Sequence, residues 1–224
     1  MFRSLLLVLL LTLNLFATQA PHKIKAKQYG DIVKVKVRII SPMLNEILAK
    51  KKNTEPDYLT HIIAKVGGHT VYNAKIGPSW SKNPIFKFSY HYVGYGDEIT
   101  IKATDNKGKI TTGKALIKKS SFKGKVEKSI NTETPKHTSV QKKADLHDRS
   151  DQSITGKIHI TVPKVSSTPT YIPVRIKTDL SLVSMQVYSD GNIDPLIADF
   201  SIAQNGPIDY SFTMRISQPC AILT

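Results

Sequence analysis

One side chain in the sequence suggests covalent chemistry by its type alone: Cys220, the single cysteine, in the closing stretch SQPCAILT. A thiol reacts as its thiolate, which needs a cationic neighbourhood. To enter another protein's site it also needs a pliable flank, which glycine supplies best. Pro219 stiffens the backbone instead, and no cluster of cations stands beside Cys220 in sequence. Cys220 therefore reads first as a strand-edge cysteine and second as a reactive, intermolecular or carrier thiol. Three histidines form the other chemical candidates, His61 and His69 around Gly67-Gly68 and His91 in an aromatic stretch. A metal site needs three or four converging ligands, and these spacings match no zinc pattern. No Gly-x-Ser-x-Gly elbow and no phosphate-binding glycine loop is present. Neither a catalytic constellation, a metal nor a cofactor is expected, so the chain reads as a non-enzyme.

The remaining chemistry is charge. The 224 residues carry a net charge of +15, and the excess is uneven. From residue 21 to 119 there are 19 basic and 7 acidic side chains, whereas from 154 to 224 there are 5 of each. In DIVKVKVRII, Lys34, Lys36 and Arg38 alternate with Val33, Val35, Val37 and Ile39. A period of two puts the cations on one face of a strand and the apolar residues on the other. Such a face is either solvated or a docking surface for an acidic partner or an anion. Lys34, Lys36 and Arg38 are its candidates, with Ser81, Lys82 and Asn83 of the polar stretch SWSKNP as further docking candidates. No basic–aromatic stacking motif supports nucleic acid as the partner.

Those residues need strands to hold them. HIIAKVGGHTVYNAKI has two β-branched runs around Gly67-Gly68 and reads as a hairpin. IFKFSYHY alternates Phe86, Phe88, Tyr90 and Tyr92 with polar positions, and DEITIKATDNKGKITTGKALI reads as a second hairpin turning at 105–108. MLNEILAKKKNTEPDY reads as a loop with at most one helical turn. Residues 120–153 are rich in Ser, Thr, Lys and Asp, lack an apolar period, and read as a flexible linker. Beyond it, Ile158, Ile160 and Val162, then Ile172, Val174 and Ile176, alternate again, and LVSMQVYSDGN, LIADFSI and DYSFTMRIS read as further strands. About 70 residues with no disulfide make a marginal core, so this second region is expected to lean on the first. The opening MFRSLLLVLLLTLNLFATQA has the short apolar run and small-residue end of a signal peptide. Cleavage is expected after Ala20, with Ala17 the other candidate. The expectation is a periplasmic protein with no membrane span after signal cleavage.

Several motifs stand in one order: ISPM, YLTHIIAKVGGHTVYNAKI, SWSKNPIFKF and GDEITIKATDNKG. Together they resemble the Z subunit of the bacterial thiosulfate-oxidising (Sox) sulfur carrier, with Ser41 standing where that family usually carries histidine. The later pieces IHITVPKV, IPVRI, Asn192-x-x-Pro195 and Met214-Arg215-Ile216 are similar to the Y subunit of the same carrier. The resemblance implies two immunoglobulin-like folds that pair, here within one chain. It implies periplasmic Sox-type partners: SoxY/SoxZ-like subunits, a c-type cytochrome, a manganese-dependent hydrolase and a molybdenum enzyme. In that family the Y subunit ends in a Gly-Gly-Cys-Gly-Gly arm whose thiol carries the sulfur. This sequence contains no such run.

The expected organisation is therefore a signal peptide at 1–20, a Z-like β-sandwich at 21–119, a linker at 120–153 and a Y-like β-sandwich without the cysteine arm at 154–224. The expected function is a non-catalytic scaffold of thiosulfate oxidation. Two alternatives stay open, a truncated true carrier and a general β-sandwich interaction or adhesion module.

Overall fold

The computed structural model describes residues 22–120, 158–163, 169–202 and 207–216. The expected signal segment, residues 121–153 of the expected linker, and Cys220 lie outside the described residues.

Within them the chain is almost entirely β, as alternation along the sequence predicts. The strands of the first region are β1 (His22–Tyr29), β2 (Ile32–Ile39), β3 (Leu59–Val66), β4 (His69–Ile76), β5 (Ile85–His91), β6 (Glu98–Asp105) and β7 (Ile110–Lys119). Those of the second are β8 (Ile158–Thr161), β9 (Ile172–Thr178), β10 (Ser184–Tyr188), β11 (Leu196–Ser201) and β12 (Ile208–Met214). A single turn-and-a-half of helix, α1 (Glu46–Lys51), interrupts them, its N-terminus capped by the Asn45 side chain, which accepts from Leu48 N at 3.0 Å. The hairpin between β3 and β4 turns through Gly67 (φ 54°) and Gly68 (φ 85°). Both residues need left-handed backbone, and a Cβ on Gly67 would meet the carbonyl of Tyr95. The sequence reading passed over β1, although HKIKAKQY also alternates; it forms a hairpin with β2 through Gly30 (φ 60°).

All twelve strands follow one hydrogen-bonded order, β10-β11-β4-β3-β6-β7-β1-β2-β5-β12-β9-β8. The order doubles back where β7 and β1 pair in parallel over Ala26↔Ile117 to Gln28↔Lys119. Two facing layers result, β1-β2-β5-β12-β9-β8 and β7-β6-β3-β4-β11-β10. Each layer starts in the first region and ends in the second. β11 continues one layer by pairing with β4 from Ala198↔Ile76 to Ser201↔Asn73, and β12 continues the other by meeting β5 at Ser211↔Lys87. The expected lean of the second region on the first is thus a continuation of both sheets. Between the layers lies one apolar core that draws on both regions, with Val35, Val37, Phe86, Phe88, Ile62 and Ile101 from the first and Val174, Ile176, Phe200 and Phe212 from the second.

His22, at the start of β1, is 6% exposed, with Nε2 3.0 Å from Thr111 Oγ1 and no partner for Nδ1 among the described residues. Burial lowers its pKa from the ordinary value. A histidine kept neutral by folding favours the folded chain fully above the unfolded pKa of about 6.5 and progressively less as pH falls below it. Stability measured by urea unfolding is therefore expected to drop between pH 7.5 and 5.5, with a shallower drop in His22→Gln. A second expectation concerns cooperativity. Phe212→Ala should cost about 3–5 kcal/mol. Because the core is shared, near- and far-ultraviolet circular dichroism should still report a single transition, and two separated transitions would contradict the shared core.

Candidate partner-docking site

The site depends on a junction that holds the two regions in register. Trp80, fully buried, stacks on Phe212 at 5.1 Å between centroids and 8° between planes. Its indole Nε1 donates to Ile197 O at 2.9 Å. Tyr72 packs on Phe88 (4.5 Å), Tyr210 (5.4 Å) and Phe200 (5.9 Å), so rings from β4, β5, β11 and β12 interlock. The site is dry enough that burial pushes the Tyr210 phenol up to about 12. Backbone bonds from Ser81 N to Thr213 O (3.1 Å), Arg215 N to Ser79 O (2.7 Å) and Gly77 N to Ile197 O (2.9 Å) stitch the connection after β4 to the second region. Gly77 is required there, since a Cβ would lie 2.0 Å from Leu196 O. At the end of β12, Arg215 Nη2 donates to Met43 O (2.6 Å) and Pro78 O (2.7 Å). Burial holds its guanidinium below the usual arginine range.

On the outer face of the layer that contains β1 and β2, the junction assembles a row of cations. Register places Lys25 opposite Lys36, Lys36 opposite Lys87, Lys87 opposite Ser211, Ser211 opposite Arg175 and Arg175 opposite Thr161. Directly paired residues share a face, so this row crosses β1, β2, β5, β12, β9 and β8. Two further like-charge pairs flank it, Lys27 opposite Lys34 and Lys23 opposite Arg38. A groove of about 670 Å³ lies over the row, its cations being Lys25, Lys27, Lys34, Lys36, Lys87 and Arg175, with Val162, Pro163 and Pro173 among its apolar walls. Asp209 is the sole carboxylate in that lining. Arg175 grips it at 2.8 Å and 2.7 Å, and this hydrogen bond, reinforced by Lys177 and Lys34, holds the carboxyl below its usual range. Lys34 also lies 5.6 Å over the Tyr29 ring.

The structure brings together some of the expected site residues and separates others. Lys34, Lys36 and Arg38 are exposed on one face, and the first two line the groove. Ser81 is 1% exposed and donates through Oγ to Thr170 O at 2.9 Å, so it serves the internal junction rather than an outer surface. Asn83 takes left-handed backbone (φ 49°) and its Oδ1 accepts from Ser41 N at 3.1 Å, which closes a turn. Lys82 alone of that trio is exposed. Cys220 lies outside the described residues. Lys25, Lys27 and Arg175 were missed, and Lys87 was read only as part of the polar face of IFKFSYHY. Their signal was the second alternating run, HKIKAKQY, and a register that joins residues far apart in sequence. The three histidines sit in separate settings: His61 bonds Asn73 (2.6 Å), His69 stacks on Tyr95 (3.9 Å) and His91 lies 3.5 Å from Asp31.

Arg215→Met keeps the stem of the side chain and removes the donors to two part-buried carbonyls. The expected loss is about 1.5–3 kcal/mol, measured by chemical unfolding, whereas Arg38→Met on the open face should change stability by less than about 0.5 kcal/mol.

Two family models match successive parts of the chain. The family model of the sulphur oxidation protein SoxZ matches residues 22–116. That of the sulfur oxidation protein SoxY matches residues 142–224. No curated protein matches the chain significantly. The chain therefore carries, in this order, a SoxZ-like region and a SoxY-like region.

Proposed function

We propose that the protein is a non-catalytic periplasmic scaffold of thiosulfate oxidation, in which one chain supplies both members of a Z–Y pair. The observation that supports this best is the junction. A SoxZ-like region and a SoxY-like region continue each other's sheets and share one core, so the pair is built into the covalent chain. A tether of this kind keeps the second region at an effective concentration on the order of mM or above, and pairing no longer depends on the abundance of a separate subunit. The groove of cations that both regions line supports a docking role. The sequence holds no Gly-Gly-Cys-Gly-Gly run. In this reading the protein binds Sox-type partners that carry or process the sulfur, including SoxY/SoxZ-like subunits, a c-type cytochrome and a manganese-dependent hydrolase.

The test is affinity capture from periplasm with the full chain as bait, at low and at moderate salt. Sox-type proteins are the expected catch, lost when Gly77→Ala forces the junction apart. Capture of none at either salt would remove this reading. Intact-protein mass measurement after exposure to thiosulfate and partner extract should show no sulfur adduct on Cys220, and a stoichiometric adduct there would instead make the chain itself a carrier.

A further inference from the structure

We infer that the cationic groove is a binding site for an extended acidic protein segment, one with Asp or Glu at every second position. This names the partner chemistry of the docking role proposed above and rests on that role.

Electrostatics and spacing carry the inference. Like charges directly opposite on paired strands destabilise a sheet, yet β1 and β2 place three such pairs in succession: Lys23 with Arg38, Lys25 with Lys36, and Lys27 with Lys34. No carboxylate forms an ion pair with any of these six among the described residues. The opposite layer treats its charges differently, with Lys114 paired to Glu98 at 2.8 Å. Lysines left in mutual repulsion on a regular lattice are a feature that an anionic ligand would relieve, and stability given up at a binding face is a recurring pattern.

The lattice has two spacings. Across the strands, Lys25, Lys36 and Lys87 stand about 4.8 Å apart and Arg175 follows two strands on, beyond Ser211, so the row from β1 to β9 covers roughly 19 Å. Along a strand, alternate residues such as Lys25 and Lys27 repeat every 6.6–6.8 Å or so, the same repeat as side chains on one face of an extended segment. One small dianion would satisfy two or three of these cations and leave the rest. An extended acidic segment satisfies them in series, and Val162, Pro163 and Pro173 give its stem atoms an apolar wall. Arg175 already shows the pairing mode, holding the carboxylate of Asp209 with two hydrogen bonds. Because Lys25, Lys36 and Lys87 come from the first region and Arg175 from the second, the full site exists only when the regions are joined.

The experiment uses the full chain and a fluorescent ten-residue peptide with alternating Glu, read by anisotropy, beside a peptide with Gln in place of Glu. The Glu peptide is expected to bind and to weaken steeply as salt rises from 50 to 300 mM, with the Gln peptide silent. The triple variant Lys25→Gln, Lys36→Gln, Lys87→Gln should bind at least tenfold more weakly. Its melting temperature at low salt should rise, since the repulsion is gone, and a merely structural role for these lysines would lower it. The matching arginine triple should keep binding within about threefold. A control triple on the other layer, Lys65→Gln, Lys75→Gln, Lys102→Gln, removes the same charge and should change binding less than twofold. Equal losses in both glutamine triples would reduce the effect to net charge and overturn the site. Saturable binding of sulfate or thiosulfate at low millimolar concentration, with no peptide binding, would overturn it in favour of a small anion. Peptide binding alongside an empty periplasmic capture would uphold the groove and remove the Sox assignment.

Discussion

Everything in this fold depends on the contact between Trp80 and the end of the second region. The indole stacks on Phe212 and donates to Ile197, so one side chain touches both of the second region's layers, β12 through the ring and β11 through the nitrogen. Around it the backbone from Gly77 to Ser81 bonds to Ile197, Thr213 and Arg215. A buried tryptophan supplies a large apolar area and still needs a partner for its N–H. Here that partner is a carbonyl of the other region, so burying the ring and docking the region are a single event. The size of the shared core follows from it. Five short strands would bury too little surface alone, but as extensions of two existing layers they need only one additional packed face.

The outer surface inherits its pattern from this arrangement. Once β12 lies beside β5, register alone decides which exposed residues become neighbours, and Arg175 falls into line with lysines more than eighty positions earlier in the chain. Had β12 paired one residue out of step, its whole outer face would have turned inward. The same constraint that closes the core therefore orders the cations, and Asp209 sits where it tempers Arg175 without neutralising the lysine side of the groove.

Local pattern made much of this legible. Alternation marked β2, β5 and β9 and sorted their buried from exposed residues by parity, whereas Ile197-Ala198 in β11 and Phe212 to Met214 in β12 are buried in succession. Gly67-Gly68 and the 105–108 turn fixed two hairpins by backbone chemistry. Parity does not say which strand lies next to which, so the sequence read as two sandwiches side by side, whereas β4 and β5 in fact accept the second region as their next neighbours. Ser81 shows the limit most plainly. A serine in a polar turn looks exposed, and only the arrival of Thr170 and Thr213 from far along the chain buries it. Lys34 and Lys36 were visible as a basic face for the opposite reason, since they alternate within one strand, while Lys87 and Arg175 joined them through pairing alone.

The bond between Arg215 and Met43 spans 172 positions, and that between Trp80 and Ile197 spans 117. Contacts so distant in sequence form late, because the chain must close a large loop before any of them rewards the closure. While the chain is being made, β4 and β5 are complete strands whose outer edges wait for β11 and β12. Unpaired edges of that kind recruit strands from other molecules. The order of the two regions thus sets a period of vulnerability at the start of the molecule's life, and the charged faces of β1 and β2 help to keep neighbouring copies apart until the last strands arrive.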